Sequence, residues 1–307
     1  MRAFSRILGG LAVLGLMTLA SPAVQAQGKV NVGYVTASDF LPLLVAKEKG
    51  FFEKRGLDVE PKRIPIITNI PPALVSGDLQ IGSATMPLLL QANDGGLDMR
   101  LVAGAARHLK ETSKIALMVR STLKIEKPED LKGKKIGVAG FNSTMDVFVR
   151  KWLKLKGIDP KEVTFVEAAF PQMPDLLKGG TVDAVTITEP MRSIAQKSGA
   201  AYVFADYVAE YYPDLLMVGY IANGEWATKN AAAIKTFREA MDEAIAYIAA
   251  NWDETRGIEQ KAFGFTSNAP TAYKTAVKPD DLDTYITVGK ELGLYRSALD
   301  PKKMIVN

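Results

Sequence analysis

The chain has 307 residues, 48% of them hydrophobic, with 38 Lys+Arg against 34 Asp+Glu, one histidine and no cysteine. A chain of this size and hydrophobicity can bury a core that stands without disulfides, and the missing cysteines exclude thiol catalysis and cysteine-ligated metal. A formal net charge of +4 is too small to imply nucleic acid as a partner.

Met1–Ala26 has the layout of a secretory signal: Arg2 and Arg6 ahead of an uncharged apolar run, Ile7–Ala20, then Ser21-Pro22 and a small-residue site after Ala26. The run is shorter than the ~20 residues a bilayer-spanning helix needs, so cleavage after Ala26 is expected rather than anchoring. With no lipobox cysteine, no lipid tether is expected. A mature chain starting at Gln27 would be exported to a periplasm.

From Val30 onward, short β-rich runs alternate with helical patterns, which predicts an α/β fold with largely parallel sheets. Strands are predicted at Val30–Val35, Leu57–Arg63, Gln80–Ser83, Met99–Ala105, Ile115–Val119, Lys135–Ala139, Val163–Glu167, Ala184–Thr186, Ala201–Phe204 and Met217–Ala222. Helices are predicted at Leu41–Lys49, Pro71–Ser76, Pro87–Asp94, Thr144–Lys156, Met173–Lys178 and Pro190–Lys197. Beyond them, Ile234, Phe237, Met241, Ile245 and Ile248 recur at spacings of three and four, giving a long helix one apolar face. Asp280–Leu292 reads as a further helix. The charged stretch Ser121–Lys134 is expected to be the first crossing between two lobes or the entry just after it, and the second crossing is expected near Tyr212–Leu216. Lobe 1 would then comprise residues 27–119 and 217–307, and lobe 2 residues 120–216.

Four stretches carry a resemblance: Val32–Glu60 (with Pro-Leu-Leu-Val-Ala-Lys-Glu-Lys-Gly-Phe-Phe-Glu-Lys-Arg-Gly-Leu-Asp-Val-Glu), Leu74–Gly82, Pro128–Val138 and Gly179–Pro190. Together they resemble the substrate-binding proteins of bacterial ABC importers of the sulfonate, taurine and nitrate type, relatives of thiamine-pyrimidine-precursor binding proteins. Gln80 departs from the Asp more usual after Gly-x-Leu. The resemblance implies a two-lobed, type II periplasmic-binding-protein fold with a hinge, a ligand in the inter-lobe cleft, and delivery to the transmembrane permease subunits. No cofactor is implied, and a monomer is expected.

In open α/β sheets ligands sit beyond the carboxyl ends of strands, which nominates five segments. After the first strand, Ser38 and Asp39 would either cap a helix or meet ligand, and Phe40 would lie against it. After the third, Ser83 and Thr85 precede a helix begun by Pro87, where free backbone N–H groups make an anion cradle. Arg107, beside the lone His108, is either a solvated loop residue or a planar grip on an acid group. Phe141, Asn142, Ser143 and Thr144 open the next helix and form the strongest cradle. Thr188 and Glu189 face them; Glu189 would meet an amine or compensate a helix dipole. Phe170 and Gln172 are further candidates.

Converging donors and Arg107 favour a sulfonate or carboxylate. Asp39 and Glu189, should they line the cleft, would repel a bare anion and suit an amino group instead. One histidine and no cysteine leave no zinc site, and no phosphate loop, zinc helix or nucleophile elbow occurs. The rival function is an enzyme like the pyrimidine-precursor synthases of thiamine biosynthesis. Those carry a cysteine-rich motif that this chain lacks. A sensing domain of a regulator, the third possibility, would need a helix-turn-helix or membrane span that the sequence does not contain.

Overall fold

The computed structural model describes residues 29–306; the export signal read at 1–26 lies outside the described residues. The first elements build one sheet. β1 (Val30–Tyr34) leads through a short 3-10 turn at Ser38–Phe40 into α1 (Leu41–Glu48), and the chain returns as β2 (Val59–Arg63), parallel to β1. Pro42 is tolerated because it lies in the first turn of α1, where its missing N–H has no partner to lose. Gly56, at φ 74°, makes the left-handed turn that releases the chain into the next strand. α2 (Ile70–Ser76), β3 (Ile81–Thr85) and α3 (Met86–Asp94) repeat the pattern, with β3 parallel to β1 on its other side. β4 (Met99–Leu109) follows and is 11 residues long.

The chain then crosses to a second sheet of five strands: β5 (Ala116–Arg120), β6 (Lys135–Val138), β7 (Thr164–Glu167), β8 (Ala184–Ile187) and β9 (Ala201–Ala205), in the order β7-β6-β8-β5-β9. Between them lie α4 (Thr144–Leu155), α5 (Met173–Lys178) and α6 (Met191–Lys197). β6 is parallel to both β7 and β8, while β5 runs antiparallel to β8 and β9.

β10 (Asp214–Asn223) brings the chain back and inserts antiparallel between β3 and β4. α7 (Gly224–Lys229), α8 (Ala231–Ala250), α9 (Trp252–Phe263), the two-residue β11 (Ala272–Tyr273) and α10 (Asp280–Glu291) complete the first lobe, whose sheet order is β11-β4-β10-β3-β1-β2. The apolar stripe of α8 packs on α1, where Phe237 stacks on Phe52 with ring centroids 5.6 Å apart. Both sheets share one plan: three parallel strands, one antiparallel strand, then a fifth.

The structure corrects the expectations at several points. The strand at Ala116–Arg120 was assigned to lobe 1, yet it hydrogen-bonds to β8 and β9 in the second sheet. Ser121–Lys134, expected as the first crossing or the entry just after it, joins β5 to β6 and so lies after the crossing. Its charge and Pro128/Gly133 punctuation mark a solvated connection. The crossing itself is the short 110–115 segment, half of it a 3-10 turn at Lys110–Thr112. Arg107-His108, read as loop, belongs to β4, because β10 pairs with that strand out to Leu109 opposite Asp214.

Candidate functional site: the cleft between the sheets

A cavity of about 390 Å³ lies where the strands of both sheets end. Val35–Ala37 after β1, Thr85 at the end of β3 and the last residues of β4 line it from the first lobe. Ala139, Ser143–Met145 and Thr188–Glu189 line it from the second, and Ser267 and Pro270–Ala272 close one side. Phe40, Ile67 and Phe170 make much of its wall apolar.

The turn carrying Asp39 is held from behind. Glu259 on α9 is fully buried and accepts hydrogen bonds from Ser38 Oγ (2.6 Å), Ser267 N–H (2.6 Å) and Ser267 Oγ (2.7 Å). Tyr273 donates its hydroxyl to the Ser38 carbonyl at 2.9 Å. Ser38 thus serves the scaffold and is not among the cleft-lining residues, while Phe40 is buried and lines the wall. Neither Ser38 nor Asp39 caps α1. Asp39 faces the cleft, and burial pushes its carboxyl up to about 6, with Lys114 acting in the opposite direction.

Two helices begin at the cleft with idle caps. Thr85 and Ser143 are the N-cap residues of α3 and α4, are 6% and 5% exposed, and line the cavity. Neither side chain caps its helix, and neither hydroxyl has a hydrogen-bond partner among the described residues. Buried hydroxyls without partners are uncommon, which marks these two as unsatisfied polar groups lining the cavity. Ser83, also buried without a partner, lies deeper and does not line the cavity.

The turn before α4 is built differently from a cradle. Asn142 has φ 57°, a left-handed conformation that Asn tolerates, and its N–H donates to Asp146 Oδ2 at 2.7 Å. Phe141 N–H donates to Glu167 Oε1 at 2.8 Å, and the Phe141 ring is 41% exposed. Neither residue lines the cavity. Thr144 does, but its hydroxyl donates to the Met217 carbonyl at 2.9 Å, tying α4 to the start of β10.

Arg107 also lines the cavity, yet its guanidinium donates from Nε to Asp214 and from Nη1 to Asp281, both at 2.8 Å. His108 is 4% exposed with Nε2 3.2 Å from the Tyr212 carbonyl. A carbonyl only accepts, so Nε2 carries the proton and Nδ1 is left as an acceptor, with no partner among the described residues. Burial lowers the His108 pKa and keeps the ring neutral. Across the cleft, Glu189 Oε2 accepts from Ser193 N–H at 3.2 Å, while Oε1 takes no hydrogen bond from a described residue. Thr188 lines the cavity beside it.

Sequence reasoning passed over Lys114, Arg63 and the Glu259–Ser267 support. Lys114 sits in the crossing and donates to the Pro270 and Ala269 carbonyls at 2.9 and 3.2 Å; burial lowers its pKa against the pull of Asp39 and Glu189. Arg63 ends β2, so the strand-end rule that nominated the other segments would have found it. Among the described residues, no group of His, Cys, Asp and Glu is arranged to hold a metal ion.

Residues 37–255 match the family described as NMT1/THI5 like, which takes in most of the described chain. The chain belongs to the NMT1/THI5-like family. Within this breadth of relatives, it is 31% identical over 239 residues to the taurine-binding periplasmic protein of Escherichia coli, covering 76% of this chain and 71% of that one. It is 28% identical over 243 residues to the nitrate/nitrite binding protein NrtA of a Nostoc species, covering 70% of this chain but only 53% of the relative. The family fold is matched by the alkanesulfonate-binding protein SsuA from Xanthomonas axonopodis pv. citri bound to MOPS, at a TM-score of 0.78 over 91% of this chain and 98% of that one. At 16% identity that likeness concerns the fold, which is the two-lobed periplasmic-binding-protein fold.

Proposed function

We propose that this protein is the exported solute-binding component of an ABC importer, which takes a small organic anion or zwitterion between its lobes and hands it to a membrane permease. The observation that carries this reading is the 390 Å³ cleft lined by strand ends and helix starts from both sheets. A solute seated there touches both halves, so it stabilises the closed arrangement through contacts that the open one lacks. A micromolar dissociation constant corresponds to ~8 kcal/mol, within reach of a few buried hydrogen bonds plus an apolar wall. The periplasmic relative from E. coli and the sequence of residues 1–26 support export.

A second reading, a thiamine-precursor pyrimidine as the carried solute, is favoured by the acceptors that line the cleft, because an aminopyrimidine offers ring edges and an amino group to such atoms. Both readings are tested by thermal-shift screening of the mature chain against sulfonates, aromatic carboxylates, nitrate, amino acids and pyrimidines. Small-angle scattering with and without each hit then follows closure. Recovery of a hit chemically unchanged supports a carrier, and its conversion refutes it.

A further inference from the structure

We propose that the cleft recognises its solute through a nitrogen-bearing, hydrogen-donating head group, an amine or amidine, and that Asp39 is the residue that selects it. This rests on the solute-binding reading above and narrows it from anions in general to compounds that present N–H donors.

Several anion-binding devices near the cleft are already engaged by groups of the protein itself. The Arg107 fork is closed by Asp214 and Asp281. The Phe141 N–H is taken by Glu167 and the Asn142 N–H by Asp146. Lys114 directs two hydrogen bonds to backbone carbonyls. The acceptors, by contrast, are open. Asp39 faces the cavity with no hydrogen bond from a described residue, and Glu189 Oε1 is likewise open across it. His108 Nδ1, on a side chain 4% exposed, is an acceptor with no partner. A buried acceptor left empty is costly, and a donor from the solute is what removes that cost. The Thr85 and Ser143 hydroxyls accept or donate and so fit either polarity.

Charge leads to the same head group. Within the cavity Asp39 and Glu189 stand beside Lys114, and Arg63 is the other lining cation outside any ion pair among the described residues. Arg63, exposed at the rim on the end of β2, is where an acid group on the far end of the same solute would be met. The groups facing Asp39 are Lys114 from the crossing, Tyr220 on β10, Tyr273 on β11 and, beyond Tyr273, Glu259 on α9; Arg107 and His108 line the cavity from β4. Of these only Lys114 is a positive charge not paired with a carboxylate, and its attraction for the Asp39 carboxylate opposes the burial that raises that carboxyl to about 6.

The pH dependence therefore has a definite sign. An amine needs Asp39 ionised, so with that carboxyl at about 6 its affinity approaches the full value about one unit higher and falls ~10-fold by pH 5. A bare anion would show the reverse, since protonation removes a repelling charge.

The test uses three matched pairs on the mature chain: 2-aminoethanesulfonate against ethanesulfonate, 4-(aminomethyl)benzoate against 4-methylbenzoate, and 4-aminopyrimidine against pyrimidine. Thermal shift selects binders, calorimetry at pH 7.5 measures them, and a second titration at pH 5 is made with the two aliphatic amines, whose charge is the same at both values. The expected result is that an amine member binds at least tenfold more tightly than its counterpart, loses at least tenfold in Asp39→Asn, and weakens about tenfold at pH 5. Glu189→Gln should weaken the same compound by a smaller factor, and an unchanged melting temperature of the free variants certifies their folding. Preferential binding of the amine-free members, indifference to Asp39→Asn, or tighter binding at pH 5 overturns the head-group assignment and leaves the carrier reading intact. Silence from all six compounds counts against both.

Discussion

Replacing Arg107 by Met separates its structural from its ligand-binding role. The side chain is 12% exposed and the Asp281 carboxylate it pairs with is 2% exposed, so the substitution strands a buried charge. Breaking a buried pair in this way costs ~3–5 kcal/mol. Two features hold the cost to the low end. Asp281 keeps the Lys278 N–H at 2.9 Å, and it sits in the first turn of α10, where the helix dipole favours a negative charge by ~0.3–1 kcal/mol. The second partner, Asp214, is 52% exposed and contributes at most ~1 kcal/mol. A loss of about 3 kcal/mol is expected, a fall in Tm of roughly 6–10 °C for a chain of this size. Urea unfolding followed by circular dichroism measures the first number and scanning fluorimetry the second. Affinity for any solute found by screening should stay within threefold of the parent. A stability change under ~1 kcal/mol, or a tenfold affinity loss without one, would show that the guanidinium faces the solute rather than the scaffold.

Glu259→Gln should cost ~1–2 kcal/mol, because one carboxylate oxygen that accepts from Ser267 N–H becomes an amide nitrogen facing a donor; urea unfolding measures it, and solute affinity should fall with it as the Asp39 turn loosens. Ser143→Ala should leave the free protein as stable as before or slightly more so, since it deletes a buried hydroxyl that has no partner, while weakening the solute by ~1 kcal/mol as read by calorimetry. Thr144→Val should do the opposite: it removes the bond to the Met217 carbonyl and so lowers stability by about 1 kcal/mol, with little effect on affinity.

Much of the fold was legible because parallel strands covered on both faces are short continuous apolar runs, and glycines such as Gly56 and Gly77 punctuate them. β4 was cut short because Arg107 and His108 end its apolar run, although backbone pairing to β10 continues past them. α9 escaped notice because Asp253, Glu254, Arg256 and Gly257 blur its apolar stripe, and β11 is only two residues long. In the cleft, the strand-end rule reaches Asp39, Thr85, Ser143, Thr188 and Glu189, all of which line it. It has no purchase on Lys114, Glu259 or Ser267, which reach the site through tertiary packing from a crossing and from C-terminal helices. Nor could a linear reading tell that the polar turn at Phe141-Asn142 directs its amides to Asp146 and Glu167.

The outgoing and returning passages between the sheets are bonded to each other: Leu109 pairs with Asp214, and Lys110 N–H donates to the Pro213 carbonyl at 2.8 Å. A two-stranded ribbon of this kind yields readily to torsion but resists shear, since sliding would break its ladder whereas twisting only tilts it. Were the lobes to open and shut on a solute, this ribbon would funnel the motion into one rotational coordinate and bring the jaws back into the same register each time.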